Sequence, residues 1–215
     1  MLPQYGGVYD KILIEDEKDS VKNSIPFYKT TNLNIFKPLV IENKYDLCII
    51  SNFTQLKFKG TDFIINQISK SDFCKKLKIC HIGNNKEIGT DLCKKNNINN
   101  IEFLGSLSRQ EINIVLNKSK FSIVNSNRLD GCPRVITEIL CSETPLLINE
   151  ETRLLDYYKE SGVIQFNEKN FLDKILEMKL NYNNLKNDLK KYLNYGFFNL
   201  DHICKLNYNL WNTKK

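Results

Sequence analysis

The sequence predicts an α/β fold: one domain on a parallel sheet of about six strands, flanked by helices. Three observations point there. Apolar runs of five to seven residues, each of strand length, recur between residues 45 and 166. Stretches of about ten residues with helical apolar spacing separate them. The composition is that of an ordinary globular chain, 41% hydrophobic and 26% charged over 215 residues. A chain of that length buries enough surface to need no disulfide or metal staple.

The elements follow in order. YDLCIIS (45–51) is a short apolar run, a buried strand, and TDFIINQISK (61–70) the helix after it. LKICHIG (77–83) is the second strand, followed by a helix with Ile88 and Leu92 on one face. NIEFLG (100–105) is the third. Ser108 is an N-cap, and Glu111 three residues on completes a capping box for EINIVLNK. KFSIVNS (120–126) is the fourth strand, and Pro133 takes the first helical position before RVITEILCS. TPLLIN (144–149) is the fifth, TRLLDYYKES a helix, and GVIQF (162–166) a short sixth strand. Residues 1–40, with one strand signal in KILI and prolines at 26 and 38, form an N-terminal arm or linker. Residues 41–167 form the Rossmann-like domain. Residues 168–215 form polar helices that pack back on it, with Phe171, Ile175 and Met178 as core.

Composition excludes several function classes. No run of about 18 apolar residues spans a membrane. The N-terminus has no basic and apolar signal pattern. Seven scattered cysteines with no CxxC pair indicate a reducing, cytoplasmic setting. Cys48 and Cys80 sit in apolar runs and are core residues. A cysteine–histidine nucleophile would have only His81 and His202 to draw on. His81, at the end of the second strand, suits a structural role better than a catalytic one. The net charge of +6 comes with many Lys and Asn and no Ala, which is the usage of an AT-rich genome, so the lysine excess is weak as a nucleic-acid signal. The four arginines are more telling: Arg109, Arg128, Arg134 and Arg153 all fall within 45 residues. Arg offers a planar fork for phosphate that Lys lacks. Chance and helix-surface charge explain the clustering equally well.

In parallel sheets ligands sit at the carboxyl ends of the strands. The loops to inspect are therefore 51–60, 83–86, 104–108, 125–133 and 149–152. The most informative stretch is NRLDGCPRVITEIL (127–140). Asp130 follows a strand, Gly131 lets backbone approach a ligand, and Pro133 starts a helix that carries Glu138. First-turn amides near Arg134 and Val135 make an anion site. A carboxylate at Glu138 can accept two ribose hydroxyls. The pattern suits a diphosphate with a sugar on either side. It suits an ordinary capped helix with Asp130 in a turn just as well.

From about residue 30 to 165 the chain resembles the C-terminal, nucleotide-sugar-binding domain of the glycosyl transferases group 1 family, retaining enzymes of the GT-B fold. TTNLNIFKPL resembles the linker that enters this domain, and CIISNFTQLKFKG its strand and loop ending in Lys-Gly. NIEFLGSLSRQEINIVL resembles its F-x-G strand and following helix. NSNRLDGCPRVITEILCSETPLL resembles its E-x7-E signature, with Asp130 in place of the first Glu and seven residues between it and Glu138.

The resemblance implies a hexosyltransferase-type enzyme with Asp130 and Glu138 in the catalytic centre. Asp130 would lie beside the donor sugar, Glu138 would hold the ribose, and Lys59 would pair with the diphosphate. The implied donor-binding set is Lys59, Asn52, Gly83, Ser106, Leu107, Arg109, Gly131, Cys132, Pro133, Arg134, Val135 and Glu138. Asn52 stands where the family usually has a second basic residue, with Arg134 or Lys57 as substitutes. No Asp-x-Asp motif or metal-spaced His/Cys cluster occurs, so neither cofactor nor metal is expected.

The implied partners are a nucleotide-diphosphate sugar and a glycan or lipid-linked acceptor. Residues 1–40 resemble at most a remnant of the acceptor domain, so a homo-oligomer or separate subunit would complete the cleft. A non-catalytic nucleotide-sugar-binding subunit is the alternative. Membrane contact is at most peripheral, at the cytoplasmic face through basic KNDLKKYL, although a solvated face fits that run better. Trp211 and the C-terminal tyrosines are packing. A basic nucleic-acid-binding domain remains a competing class, but aromatics fall at apolar periodic positions rather than along a basic groove. A dinucleotide oxidoreductase would need GxGxxG after the first strand, where SNFTQLKFKG stands.

Overall fold

The computed structural model describes residues 31–53, 59–126, 133–152 and 163–194, with the short stretches 12–14, 24–26, 204–205 and 208–209. Strands β1 (Ile12–Ile14) and β2 (Ser24–Pro26) pair in parallel. The main sheet comprises β3 (Tyr45–Ile50), β4 (Ile79–Ile82), β5 (Ile101–Gly105), β6 (Ser119–Val124), β7 (Leu146–Asn149) and β8 (Val163–Phe166). Its order is β5-β4-β3-β6-β7-β8, and every pairing is parallel. The helices are α1 (Thr61–Ser69), α2 (Lys86–Lys95), α3 (Arg109–Asn117), α4 (Val135–Cys141), α5 (Phe171–Leu180) and α6 (Tyr182–Asn194).

All six expected strands of the main sheet are present. The KILI strand is present too, but its partner β2 is unforeseen. Three residues ending in a proline carry no alternation from which to recognise a strand. The capping box is made as expected: Ser108 Oγ accepts from Glu111 N–H, and the Glu111 carboxylate accepts from Ser108 N–H. Helix α4 differs from expectation. It begins at Val135 with Arg134 as N-cap, so Pro133 stands one residue before the cap. Ile136 N–H turns back to Pro133 O at 3.1 Å, a tight turn that delays the helix. All of the predicted helix 152–161 after Thr152, and most of the segment 195–215, with Trp211, lie outside the described residues.

Alternate strand residues bury on opposite faces, as the pleat requires. One face packs Cys48, Cys80, Ile82, Val124 and Ile148 against α3, α4 and α6. The other packs Leu47, Ile49, Ile79, Phe121 and Ile123 against α1, α2 and α5, with Phe171, Ile175 and Met178 fully in that core. The entering segment is strapped to α3. Lys37 N–H donates to Asn113 Oδ1 at 3.2 Å and Leu39 N–H to Asn117 Oδ1 at 2.6 Å. Ser142 Oγ donates to the same Asn113 oxygen at 2.7 Å. Phe36, wholly buried, anchors the strap in the core.

His81 is 1% exposed on β4. Its ring lies 4.5 Å from that of Phe53 and 5.5 Å from that of Phe103. Nε2 is 3.1 Å from Ser51 Oγ, which is 2.6 Å from Thr61 Oγ1. This burial bears out the structural role, and it pushes the imidazole down to about 4. The unfolded chain binds that proton near 6.5, so stability is complete above that pH and falls as pH drops toward 4. Urea denaturation should show about 2 kcal/mol of this loss by about pH 4.5. His81→Asn should flatten the slope, and an unchanged slope would reject the assignment. Gly83, with φ +150°, is pressed on Ser51: a Cβ there would lie 1.7 Å from the Ser51 carbonyl oxygen. Gly83→Ala should therefore cost roughly 3 kcal/mol in the same assay. A cost near zero would mean that the backbone moves freely.

Candidate functional site

Helix α1, after β3, packs on one face of the sheet, and α4, after β6, packs on the other. Because β3 and β6 are hydrogen-bonded neighbours whose following helices lie on opposite faces, their carboxyl ends form the topological switch point, where sheets of this kind receive ligands in a crevice.

Short polar side chains tie the strand exits together in two sets, one joining β3, β4 and β5 and one joining the β3, β6 and β7 sides. In the first set, Asn52 Oδ1 accepts from Asn84 N–H at 3.0 Å, and Ser106 Oγ donates to Asn84 Oδ1. The exits of β3, β4 and β5, with Gly83 and Ser106, are thereby joined. Leu107 is half-buried against the core beneath α3 and α4. In the second set, Asn125 Nδ2 donates to Gly60 O at 2.7 Å, and Asn149 Nδ2 donates to Asn125 Oδ1 at 2.7 Å. Gly60 has φ +50°, and a Cβ there would lie 2.3 Å from Asn125 Nδ2. The residue after Lys59 must therefore be small for this clasp to close. Lys59 Nζ reaches Ser126 Oγ at 3.5 Å, across the boundary between β3 and β6.

The second cluster lies where α3, α4 and the entering segment meet. Glu138, on the first turn of α4, has only 14% of its side chain exposed. Arg109, the first residue of α3, donates from Nη2 to Glu138 Oε1 at 3.0 Å and to Thr31 Oγ1 at 3.1 Å. Its guanidinium lies 5.1 Å from the centroid of the Phe36 ring. Burial pushes the Glu138 carboxyl above its ordinary value, while Arg109 and Arg134 pull it back. Burial and the Glu138 charge raise the Cys141 thiol, which stays protonated.

Of the sequence candidates, the structure brings together Arg109 with Glu138, with Arg134 one turn behind on α4, and brings Lys59 to Ser126. Asn52, Gly83 and Ser106 line the exits on the β4–β5 side. Pro133 is buried and Val135 half-buried at the start of α4. Asp130, Gly131 and Cys132 lie outside the described residues, as does Lys57. Sequence reasoning missed Thr31, Phe36, Asn84, Asn125, Ser126 and Asn149. The available signal was an asparagine just beyond three strand exits. Among the described residues, no three His, Cys, Asp or Glu side chains gather as metal ligands. No helix among them is long and apolar enough to cross a membrane.

No curated protein sequence matches the chain. Solved structures share the fold at low identity. Sucrose-phosphate synthase from Thermosynechococcus elongatus superposes with a TM-score of 0.74 at 11% identity, over 95% of this chain and 58% of that one. HepE from Anabaena, in complex with UDP and glucose, gives 0.75 at 10% identity, over 97% and 65%. A variant of S. aureus TarM, in complex with fondaparinux, alpha-GlcNAc-glycerol and UDP, gives 0.72 at 15% identity, over 97% and 45%. The chain thus spans less than two thirds of the length of each. The described domain, a six-stranded parallel sheet flanked by helices, is of the C-terminal type found in GT-B glycosyltransferases. The sequence profile of Glycosyl transferases group 1 matches residues 32–194, most of the chain, and the protein belongs to that family.

Proposed function

We propose that this chain carries the donor half of a retaining, hexosyltransferase-type glycosyltransferase acting on a nucleotide-diphosphate sugar. The observation that supports this most is Glu138: a carboxylate withdrawn from water and held by Arg109, on the helix that follows the switch-point strand of a group 1 family member. A buried acid needs partners of this kind to stay charged. A charged acid there can accept ribose hydroxyls. The solved relatives described with UDP bear on the choice of ligand.

The chemistry follows from charge. Cleavage of the sugar–phosphate bond sends its electron pair to the phosphate oxygen, leaving an oxocarbenium-like sugar and a nucleoside diphosphate whose terminal phosphate becomes a dianion. Lys59, Arg134 and the first-turn amides of α4 would stabilise the charge on the leaving group as it develops. Asp130 would lie on the sugar side and Glu138 on the nucleoside side. These cations and amides suffice for a mechanism without a metal. The acceptor, a glycan or lipid-linked glycan, would be presented by a second domain or subunit, and a homo-oligomer is one way to supply it. We place the protein in the cytoplasm, at most peripheral to a membrane.

Titration calorimetry with uridine and guanosine diphosphates tests the reading. One of them should bind, and Arg134→Ala should weaken it about tenfold through loss of a charge-assisted contact. Unchanged affinity in Arg134→Ala would remove that residue from the site. Failure of both nucleotides to bind the parent protein would reject the donor site.

A further inference from the structure

We propose that Arg109 is a positioning residue that clamps one oxygen of Glu138 and leaves the other to a ribose hydroxyl, so that the site selects ribonucleotides through it; this rests on the donor reading above. Arg109 binds Oε1 at 3.0 Å, and among the described residues no hydrogen bond is made to Oε2. Among the described residues, one acceptor of the carboxylate is thus committed and one on offer.

The clamp is itself fixed at both ends. Its backbone lies within the Ser108–Glu111 capping box, which sets the start of α3. Its guanidinium is held by Thr31 Oγ1 and by the face of Phe36, and Phe36 is wholly buried. The two N–H bonds of the one nitrogen Nη2 serve Thr31 and Glu138 while the planar guanidinium lies on the Phe36 ring, a stacked arrangement that a flexible ammonium does not reproduce. The entering segment therefore determines where the charge opposite Glu138 sits.

Among the described residues, the groups facing Glu138 are few. Arg109 comes from α3, Arg134 from the N-cap of α4, the protonated Cys141 from α4 itself, and Thr31 from the entering segment beyond Arg109. Without Arg109, burial would be opposed by Arg134 alone, and Glu138 would take up a proton at higher pH.

The test is a double-mutant cycle on ligand preference. Uridine and guanosine diphosphates are titrated beside their 2′,3′-dideoxy analogues. The parent protein should favour the ribonucleotide about tenfold, the effect of one hydrogen bond to a charged group. R109Q should reduce that preference to about twofold and move the acid-side loss of binding to higher pH. R109K, which keeps the charge without the fork, should recover part of the preference. E138Q should abolish it, and R109Q should then add nothing. Thermal melts establish that each variant is folded. Equal weakening of both ligands by R109Q, or a further loss in the double variant, would overturn the proposal, because Arg109 would then touch the ligand or only support the fold. Equal binding of ribo and dideoxy ligands by the parent would overturn it too. A parent that binds neither diphosphate would fail the donor reading first, and this inference with it.

Discussion

Two neighbouring strands, β3 and β6, send their chains to opposite faces of one parallel sheet, and most of the site depends on that divergence. Apolar packing enforces it. Ile64, Ile65 and Ile68 of α1 are buried on one side, and Ile136, Ile139 and Leu140 of α4 on the other. Burying a side chain of this size contributes about 1.5–3 kcal/mol. Moving either helix to the other face would forfeit several such terms at once. The separation of the two helices beyond the carboxyl ends of β3 and β6 is therefore a consequence of how the core is filled. The asparagines then tie the strand exits to one another. Their amides can donate and accept at once, which suits them to bridging strand exits where no ladder continues.

From packing the causal chain runs to charge. Phe36 fills the core, fixes the entering segment and supports the guanidinium of Arg109, which in turn faces Glu138. A carboxylate with 14% exposure would tend to neutralise without such a partner. The ion pair is half-open to water on the Arg109 side, where 44% of the side chain is exposed. It adds little to stability compared with the aromatic beneath it. Its importance lies in the state and direction of the acid. Thr31, Phe36 and Arg109 are thus one assembly, and its two members from the entering segment are far in sequence from the residue they serve.

The sheet was legible in the sequence because each strand of a doubly covered sheet is a short, nearly continuous apolar run. YDLCII and TPLLIN announce themselves in that way. The capping box at Ser108 was legible for a similar reason, since its chemistry is local. The start of α4 was less so: Pro133 favours a first helical position, but the turn closed by Ile136 N–H puts that start two residues later. Glu138 stood out in the Gly-Pro-helix stretch after the fourth strand and Arg109 in the arginine cluster, whereas Lys59 was found through the family resemblance. Thr31, Phe36 and the asparagine clasps were not found, because their roles arise only when segments distant in the chain meet. Thr31 is 78 residues from Arg109, and Asn125 is 65 from Gly60. No local pattern encodes such a pairing.

A crystal structure of the protein with a bound nucleoside diphosphate tests the donor pocket most directly. We expect a ribose hydroxyl within hydrogen-bond distance of Glu138 Oε2, Arg109 still on Oε1, and the diphosphate between Lys59 and the start of α4. A nucleotide bound outside the β3–β6 crevice, or one that reaches the crevice with Glu138 turned away from its ribose, would contradict the assignment.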